Sequence, residues 1–342
     1  MAKLRNGMAL SFSDVLLVPQ YNEIKSRLDV DLSTRLTRNI KIEIPILATN
    51  MSTVCELEMA EALWKSGSCG MIHRFMPQEK LFKIIDKATE IGIYPICISV
   101  GVKQEDCELV ELLMKRENKP HIIIVDIAHA DCLDAHVMVK FIKENTTNID
   151  VIVGNIATSE ACWRYCESDY VDAIRCGVGA GSCCTTRQIS GSGNPTLDTI
   201  MQCYEIAKDY NIPLIGDGGF KTSGDCVKGL AFGCESITLG AMLASTSSSP
   251  GELVTENGSK KKKMYGMASK EGMIQGGKNN CTPEGITRLF DFKGNTTDVL
   301  NEILGGIRSG CTYSGASNLN QLREKSQYVI ISSGGMIESK FV

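Results

Sequence analysis

Between Ile44 and Gly240 the sequence repeats one pattern eight times: a short aliphatic or β-branched run, then a stretch of helical periodicity such as MAEALWKSG, which follows PILATNM. The runs are IPILATN, CGMIH, YPICISV, HIIIVDI, DVIVGN, VDAIRC, IPLIGD and ESITLG. Such alternation specifies a parallel sheet with helices packed outside it. Eight units match a closed (β/α)8 TIM barrel better than an open doubly wound sheet, which usually takes about five or six strands. The open sheet is the alternative.

The runs end in residues capable of chemistry, Asn50, His73, Asp126, Asn155, Cys176 and Asp217, while their interiors are almost wholly apolar. In a barrel those carboxyl ends meet at one mouth, where active sites lie. Residues 1–43 precede the first unit as an N-terminal arm. Residues 250–280, rich in Gly, Ser and Lys and poor in hydrophobic period, read as a mobile loop after the eighth strand.

With 342 residues, 43% of them hydrophobic and 22% charged, the chain can bury one large core or two smaller ones. Its 36 basic and 40 acidic residues give a net charge of -4, which disfavours a polyanion-binding surface. The one basic run, Lys260 to Lys263, reads as a solvated loop rather than a nucleic-acid grip. No apolar run reaches the roughly 18 residues of a membrane span, and MAKLRNGMAL lacks a signal peptide's long apolar segment. A cytoplasmic protein with neither nucleic-acid nor membrane partner is expected. The fifteen cysteines are odd in number and scattered, with no C-x-x-C pair, so reduced thiols fit better than a disulfide framework or a zinc site.

Three glycine-bearing loops are the candidates for chemistry. GVGAGSCCTTR, Gly177 to Arg187, follows the sixth run; its glycines let the backbone turn tightly and present N–H and C=O groups to a ligand. A cysteine among such backbone donors can be held as thiolate, the nucleophilic form, although either cysteine taken alone is as well explained as inert. IGDGGF, Ile215 to Phe220, and TLGAML, Thr238 to Leu243, end the seventh and eighth runs. Those two loops form the usual phosphate site of such barrels. Asp217 could then bind sugar hydroxyls.

GVGAGSCCTTR and IGDGGF, together with FSDVLLVPQYNEIKSR in the N-terminal arm and YGMAS at Tyr265 to Ser269, resemble the family of IMP dehydrogenase and GMP reductase. The likeness runs over essentially the whole chain, in that family's order. It implies a single (β/α)8 catalytic domain over residues 1–342, usually a homotetramer, acting at carbon 2 of a purine nucleoside 5'-monophosphate. The family pattern aligns Ser182, Cys184 and Thr186, so Cys184 resembles the nucleophile and Cys183 fills a variable position. Ser182, Gly218, Gly219, Gly240 and Ala241 resemble phosphate contacts, and Asp217 the ribose ligand. Gly266, Met267, Ala268 and Gly285 match the base-facing segments. Glu284 stands beside the purine, where it and Thr186 would relay a proton.

The resemblance also places a dinucleotide at Ser26, Arg27, Asp126, Ala128, Tyr313 and Gly315, with Arg74 where a basic residue could meet the 2'-phosphate of NADPH. Carbonyls of Gly179, Gly181, Cys184 and Arg187 resemble a monovalent cation site suited to K+. The chain departs from the family at Ser52, Ala180, Ala241 and the Cys-Thr-Pro of 281–283.

Two features favour the reductase branch. Between Ser269 and Glu284 the flap, about residues 250–283, reads KEGMIQGGKNNCTP, a stretch with neither the arginine nor the tyrosine with which dehydrogenases of the family activate water. Nor is there a nucleotide-sensing CBS module after the second strand. GMP reductase is therefore expected, with IMP dehydrogenase as the alternative and a non-catalytic nucleotide-binding homologue as a third reading, against which the retained Cys184, Thr186 and Glu284 argue.

Overall fold

The computed structural model describes residues 4, 5, 7–277 and 282–339. Each of the eight aliphatic runs contains a barrel strand: β1 (Ile46–Ala48), β2 (Met71–Ile72), β3 (Cys97–Val100), β4 (Ile122–Asp126), β5 (Asp150–Ile156), β6 (Ala173–Cys176), β7 (Leu214–Asp217) and β8 (Cys234–Leu239). From β2 to β8 every strand pairs in parallel with its successor. β8 returns to β1, and a bridge between Ala48 and Gly70 spans the seam between β1 and β2. The ring closes into a (β/α)8 barrel, so the open sheet is set aside.

Eight helices surround the barrel: α1 (Leu57–Lys65), α2 (Gln78–Ile91), α3 (Gln104–Met114), α4 (Leu133–Asn145), α5 (Ser159–Ser168), α6 (Thr196–Ala207), α7 (Ser223–Ala231) and α8 (Thr296–Tyr313). Short polar side chains start several of them. Thr158 accepts from Ala161 N at 3.2 Å, and Thr222 and Asp225 bond each other's backbone amides in a reciprocal cap at 3.1 Å. Among the described residues no helix is long and apolar enough to cross a membrane.

The period-two alternation of the strands splits the core in two. Leu47, Met71, Cys97, Ile122, Ile124, Ile152, Ala173 and Ile215 point inward and fill the barrel. Their neighbours Ile46, Ile98, Ile123, Val125, Val151, Val153 and Ile174 point outward and pack with the helices. The inner cluster continues into Leu36, Ile40 and Ile42 of the N-terminal arm, where a short hairpin pairs Thr34–Arg35 with Lys41–Ile42. That arm also runs as Val15–Val18 against Gln327–Ile330.

The segment after β8 corrects the loop expectation. It forms a three-stranded antiparallel sheet of β9 (Leu253–Glu256), β10 (Ser259–Tyr265) and β11 (Thr287–Asp291), with a short helix at Lys270–Gln275. Lys278 to Cys281, the centre of the flap, lie outside the described residues. The lysine run is therefore strand, not solvated loop. Lys261 and Lys263 pair with Glu256 and Glu252, while Lys262 turns inward and is buried. Its ammonium donates to the carbonyls of Ser249 and Gly251, each at 2.7 Å. Burial pulls its pKa below the usual lysine value. Lysine's long aliphatic stem lets it occupy a strand position that composition alone assigns to a loop.

Replacing Lys262 with methionine keeps the stem and removes both hydrogen bonds, leaving two carbonyls facing an apolar tip. Loss of about 1–3 kcal/mol is expected, read as a lowered denaturation midpoint. A midpoint equal to that of the parent would show that the two bonds contribute nothing.

Candidate active site

The alternation that fills the barrel with aliphatic side chains sets a polar layer above them, toward the carboxyl ends. On β6 Ala173 points in, so Arg175 does too; on β4 Asp126 follows Ile122 and Ile124, and on β7 Asp217 follows Ile215. Arg175 is 2% exposed. Its Nε donates to Asn155 Oδ1 at 2.6 Å, its Nη1 to Asn50 Oδ1 at 2.6 Å, and its Nη2 to Asp126 Oδ1. Asp217 Oδ2 lies 3.8 Å from the same guanidinium and accepts from Asn155 Nδ2 at 2.7 Å. Burial pushes the Asp217 carboxyl up from its ordinary value, against the pull of Arg175 and Asn155. Asp217 Oδ1 has no hydrogen-bond partner among the described residues, so it is the oxygen left for a ligand.

Above this layer opens a cavity of about 820 Å³. Ser182, Cys184 and Thr186 line it from the β6 loop, Gly218, Gly219, Gly240 and Ala241 from the loops after β7 and β8, and Gly266, Met267, Ala268 and Glu284 from the insert. The turn out of β6 depends on Gly177, at φ 137°, where a Cβ would sit 1.9 Å from the Asp217 carbonyl. Behind that turn the two cysteines part. Cys183 is 2% exposed, its Sγ donates to Met264 O at 3.7 Å, and burial pushes its thiol up from the ordinary value. Cys184 lines the cavity, its Sγ 3.2 Å from Thr186 Oγ1.

The insert is tied to the cysteine loop by backbone. Ile286 N donates to Cys183 O at 2.9 Å, Thr185 N to Glu284 O at 2.9 Å, and Glu284 N to Ala268 O at 2.9 Å. Gly285 bridges to both Cys184 and Ser269; a Cβ there would lie 3.0 Å from Ser269 N and 3.1 Å from Cys183 O. Met267 sulfur meets Ser52 N at 3.4 Å, which docks the same segment on the loop after β1. On the far side, the amides of Gly219, Gly240 and Ala241 donate to no backbone group among the described residues and line the cavity. They can receive an anion.

Of the residues expected to hold a dinucleotide, Arg74, Asp126 and Ala128 line the cavity. Arg74 Nε is 3.7 Å from Asp126 Oδ2 and has no hydrogen-bond partner among the described residues, an orphaned buried donor that fits a further phosphate. Ser26, Arg27, Tyr313 and Gly315 do not reach the cavity within this chain. They gather at the surface, where Gln20 N donates to Tyr313 O at 2.7 Å and Ser26 caps the turn Arg27–Asp29. Around the expected cation site, Gly181 O accepts from Cys184 N at 3.0 Å, and the Arg187 guanidinium donates to Val178 O at 3.1 Å and Asn194 O at 2.5 Å. The described residues contain no cluster of three His, Cys, Asp or Glu able to hold a metal ion, so a cation here would rest on carbonyls. His73, at the end of the second run, is fully buried, with Nδ1 accepting from Phe75 N at 3.1 Å.

The sequence reading missed Arg175. Its signal was available: one arginine inside the otherwise aliphatic run VDAIRC, at a position whose parity puts it inside the barrel.

Comparison with known proteins agrees with this geometry. The family model described as the IMP dehydrogenase / GMP reductase domain matches residues 9–341. The chain is 33% identical to inosine-5'-monophosphate dehydrogenase of Cryptosporidium parvum, over 97% of this chain and 94% of that one. It is also 33% identical to GMP reductase 2 of Homo sapiens, over 96% of each. The crystal structure of a cysteine-to-alanine variant of GMP reductase from Trypanosoma brucei, in complex with guanosine 5'-monophosphate, superposes with a TM-score of 0.91 and 25% identity, covering 98% of both chains. Barrel, cavity and likeness lead to one conclusion: the chain belongs to the IMP dehydrogenase / GMP reductase family, oxidoreductases of purine nucleotides.

Proposed function

We propose that this protein is a GMP reductase, which converts GMP and NADPH to IMP and ammonia, with Cys184 as the nucleophile. The observation that carries the proposal is the cavity-facing Cys184 thiol 3.2 Å from Thr186 Oγ1, with Glu284 fixed by backbone bonds to the neighbours of both. The likeness to a GMP reductase crystallised with guanosine 5'-monophosphate supports a purine nucleotide substrate.

Cys184 adds as thiolate to carbon 2 of the purine, and the amino group leaves as ammonia once protonated, which leaves carbon 2 bound to sulfur as a thioimidate. Glu284 and Thr186 move the proton to the departing nitrogen. NADPH, when bound, supplies the hydride that takes the amino group's place at carbon 2. Breaking the carbon–sulfur bond then returns Cys184 as thiolate. Asp217 Oδ1 accepts from the ribose hydroxyls, the glycine amides after β7 and β8 hold the 5'-phosphate, and Arg74 meets the cofactor's 2'-phosphate. A K+ ion held by the carbonyls of the Gly177–Arg187 loop and a homotetrameric assembly complete the reading.

IMP dehydrogenase is the second reading, favoured by a relative of that name at the same 33% identity. That relative aligns over 383 positions covering 94% of its length, so compact dehydrogenases exist and a missing module does not separate the branches. The flap does: Lys270 to Pro283 supplies no arginine or tyrosine. Without a positioned base, water attack on the thioimidate is slower by roughly 10²–10⁴-fold.

Purified protein should oxidise NADPH in the presence of GMP and form IMP, while producing XMP from IMP and NAD far more slowly; rapid XMP formation would promote the dehydrogenase. Cys184→Ala should lower turnover by roughly 10³-fold or more while GMP still binds, and Cys183→Ala should have a mild effect. Equal losses in the two variants would contradict the assignment of the nucleophile. Arg74→Ala should raise the KM for NADPH on the order of tenfold or more and weaken NADH less, since only NADPH carries the extra phosphate that the guanidinium fork would meet. Parallel losses with both cofactors would remove Arg74 from that role.

A further inference from the structure

We infer that Arg288, on β11, is a phosphate-binding residue that grips the nucleotide's 5'-phosphate from the insert sheet, an inference that rests on the nucleotide reading above. The glycine cup that would hold this phosphate is short of side-chain donors. Ser182 contributes a hydroxyl, but Ala241 has none, and the residue facing the cup from the insert is Met264, whose Cε lies 3.2 Å from where a Gly240 Cβ would stand. Backbone amides carry no net charge, whereas the ligand is a dianion, so the cup itself offers no guanidinium to match it.

Arg288 supplies one. It is the cross-strand partner of Met264 in the antiparallel pair of β10 and β11. Directly opposed residues project from the same face of a sheet. Here that face is turned to the barrel: Met264 is buried, and so is Lys262, the partner of Phe290. Lys262 spends its ammonium on the carbonyls of Ser249 and Gly251. Arg288 lines the same cavity as Ser182, Gly240 and Met264, and makes neither an ion pair nor a hydrogen bond among the described residues. Its positive charge favours the anionic form of the Cys183 thiol, so it sits near the residue that follows Ser182.

A surface arginine is ordinarily a solvated group with little energetic role. This one differs because its strand partner packs on the glycine turn and because no carboxylate pairs with it among the described residues. Its planar fork can meet two phosphate oxygens at once. Lys293 and Lys221 also line the cavity and raise the positive potential without matching that geometry.

The test compares binding of GMP and guanosine to the wild-type protein, Arg288→Ala and Arg288→Lys by calorimetry. The alanine variant should weaken GMP on the order of tenfold to a hundredfold. Guanosine affinity should change by less than about twofold, which also reports that the variant is folded, and lysine should restore part of the loss as a point charge. Equal weakening of GMP and guanosine, or no weakening of either, overturns the assignment. If the wild-type protein binds IMP and not GMP, the reductase reading fails, and the ratio of IMP to inosine affinity in the same variants decides the role of Arg288. Binding of neither monophosphate overturns both.

Discussion

A guanidinium inside a barrel must find partners for its charge and for its donors, because removing it from water costs several kcal/mol even after the surroundings relax. Arg175 finds them on four other strand ends: Asn50 after β1, Asp126 on β4, Asn155 on β5 and Asp217 on β7. One side chain on β6 thus braces most of the mouth. With Arg74 beside Asp126, two guanidiniums balance two carboxylates, and the layer carries no net charge. The brace gives Asp217 its orientation, since Oδ2 is engaged inward and Oδ1 turns to the cavity. Fixing a carboxylate before substrate arrives removes an ordering cost from binding.

The wall opposite that brace is made differently. Segment 266–268, the cysteine loop and residues 284–286 meet through backbone hydrogen bonds and bridges, with glycine at the tightest crossing. Contacts of this kind depend on chain direction and on the absence of a Cβ, and only weakly on side-chain identity. Such contacts tolerate side-chain exchange, in keeping with a fold that superposes at a TM-score of 0.91 with 25% identity.

The barrel was legible because each strand is a continuous aliphatic run, and a run buried on both faces leaves little ambiguity. The carboxyl-end residues were legible for the same reason, as polar letters closing apolar words. Arg175 was not, since it lies one residue before the end of β6 and reads as an interruption rather than a terminus; only the inward parity of Ala173 and Arg175 identifies it. The insert was misread because its central strand, Ser259–Tyr265, follows lysine with lysine. There the inward and outward faces carry the same residue type, and burial is decided by two carbonyls, of Ser249 and Gly251, that no local pattern announces. Ser26, Arg27, Tyr313 and Gly315 came from family likeness alone, and the fold gathers them at the surface away from the cavity.

Identity near 33% to a relative named for each branch leaves the choice between them to the site. Under the proposed reductase reading the branches differ in one proton path, and the structure distinguishes where such a path can be carried. Glu284 is held on both sides by backbone bonds, its N–H to Ala268 and its carbonyl to Thr185, the residue between Cys184 and Thr186. The backbone of Glu284 is therefore tied directly to the loop that carries Cys184 and Thr186. A base for water attack carried on a separate flap has no such tie and must be brought in anew for each hydrolysis. Under the proposed reading, the tie of Glu284 to the loop of Cys184, with neither arginine nor tyrosine in Lys270 to Pro283, suits the expulsion of an amine better than the admission of water.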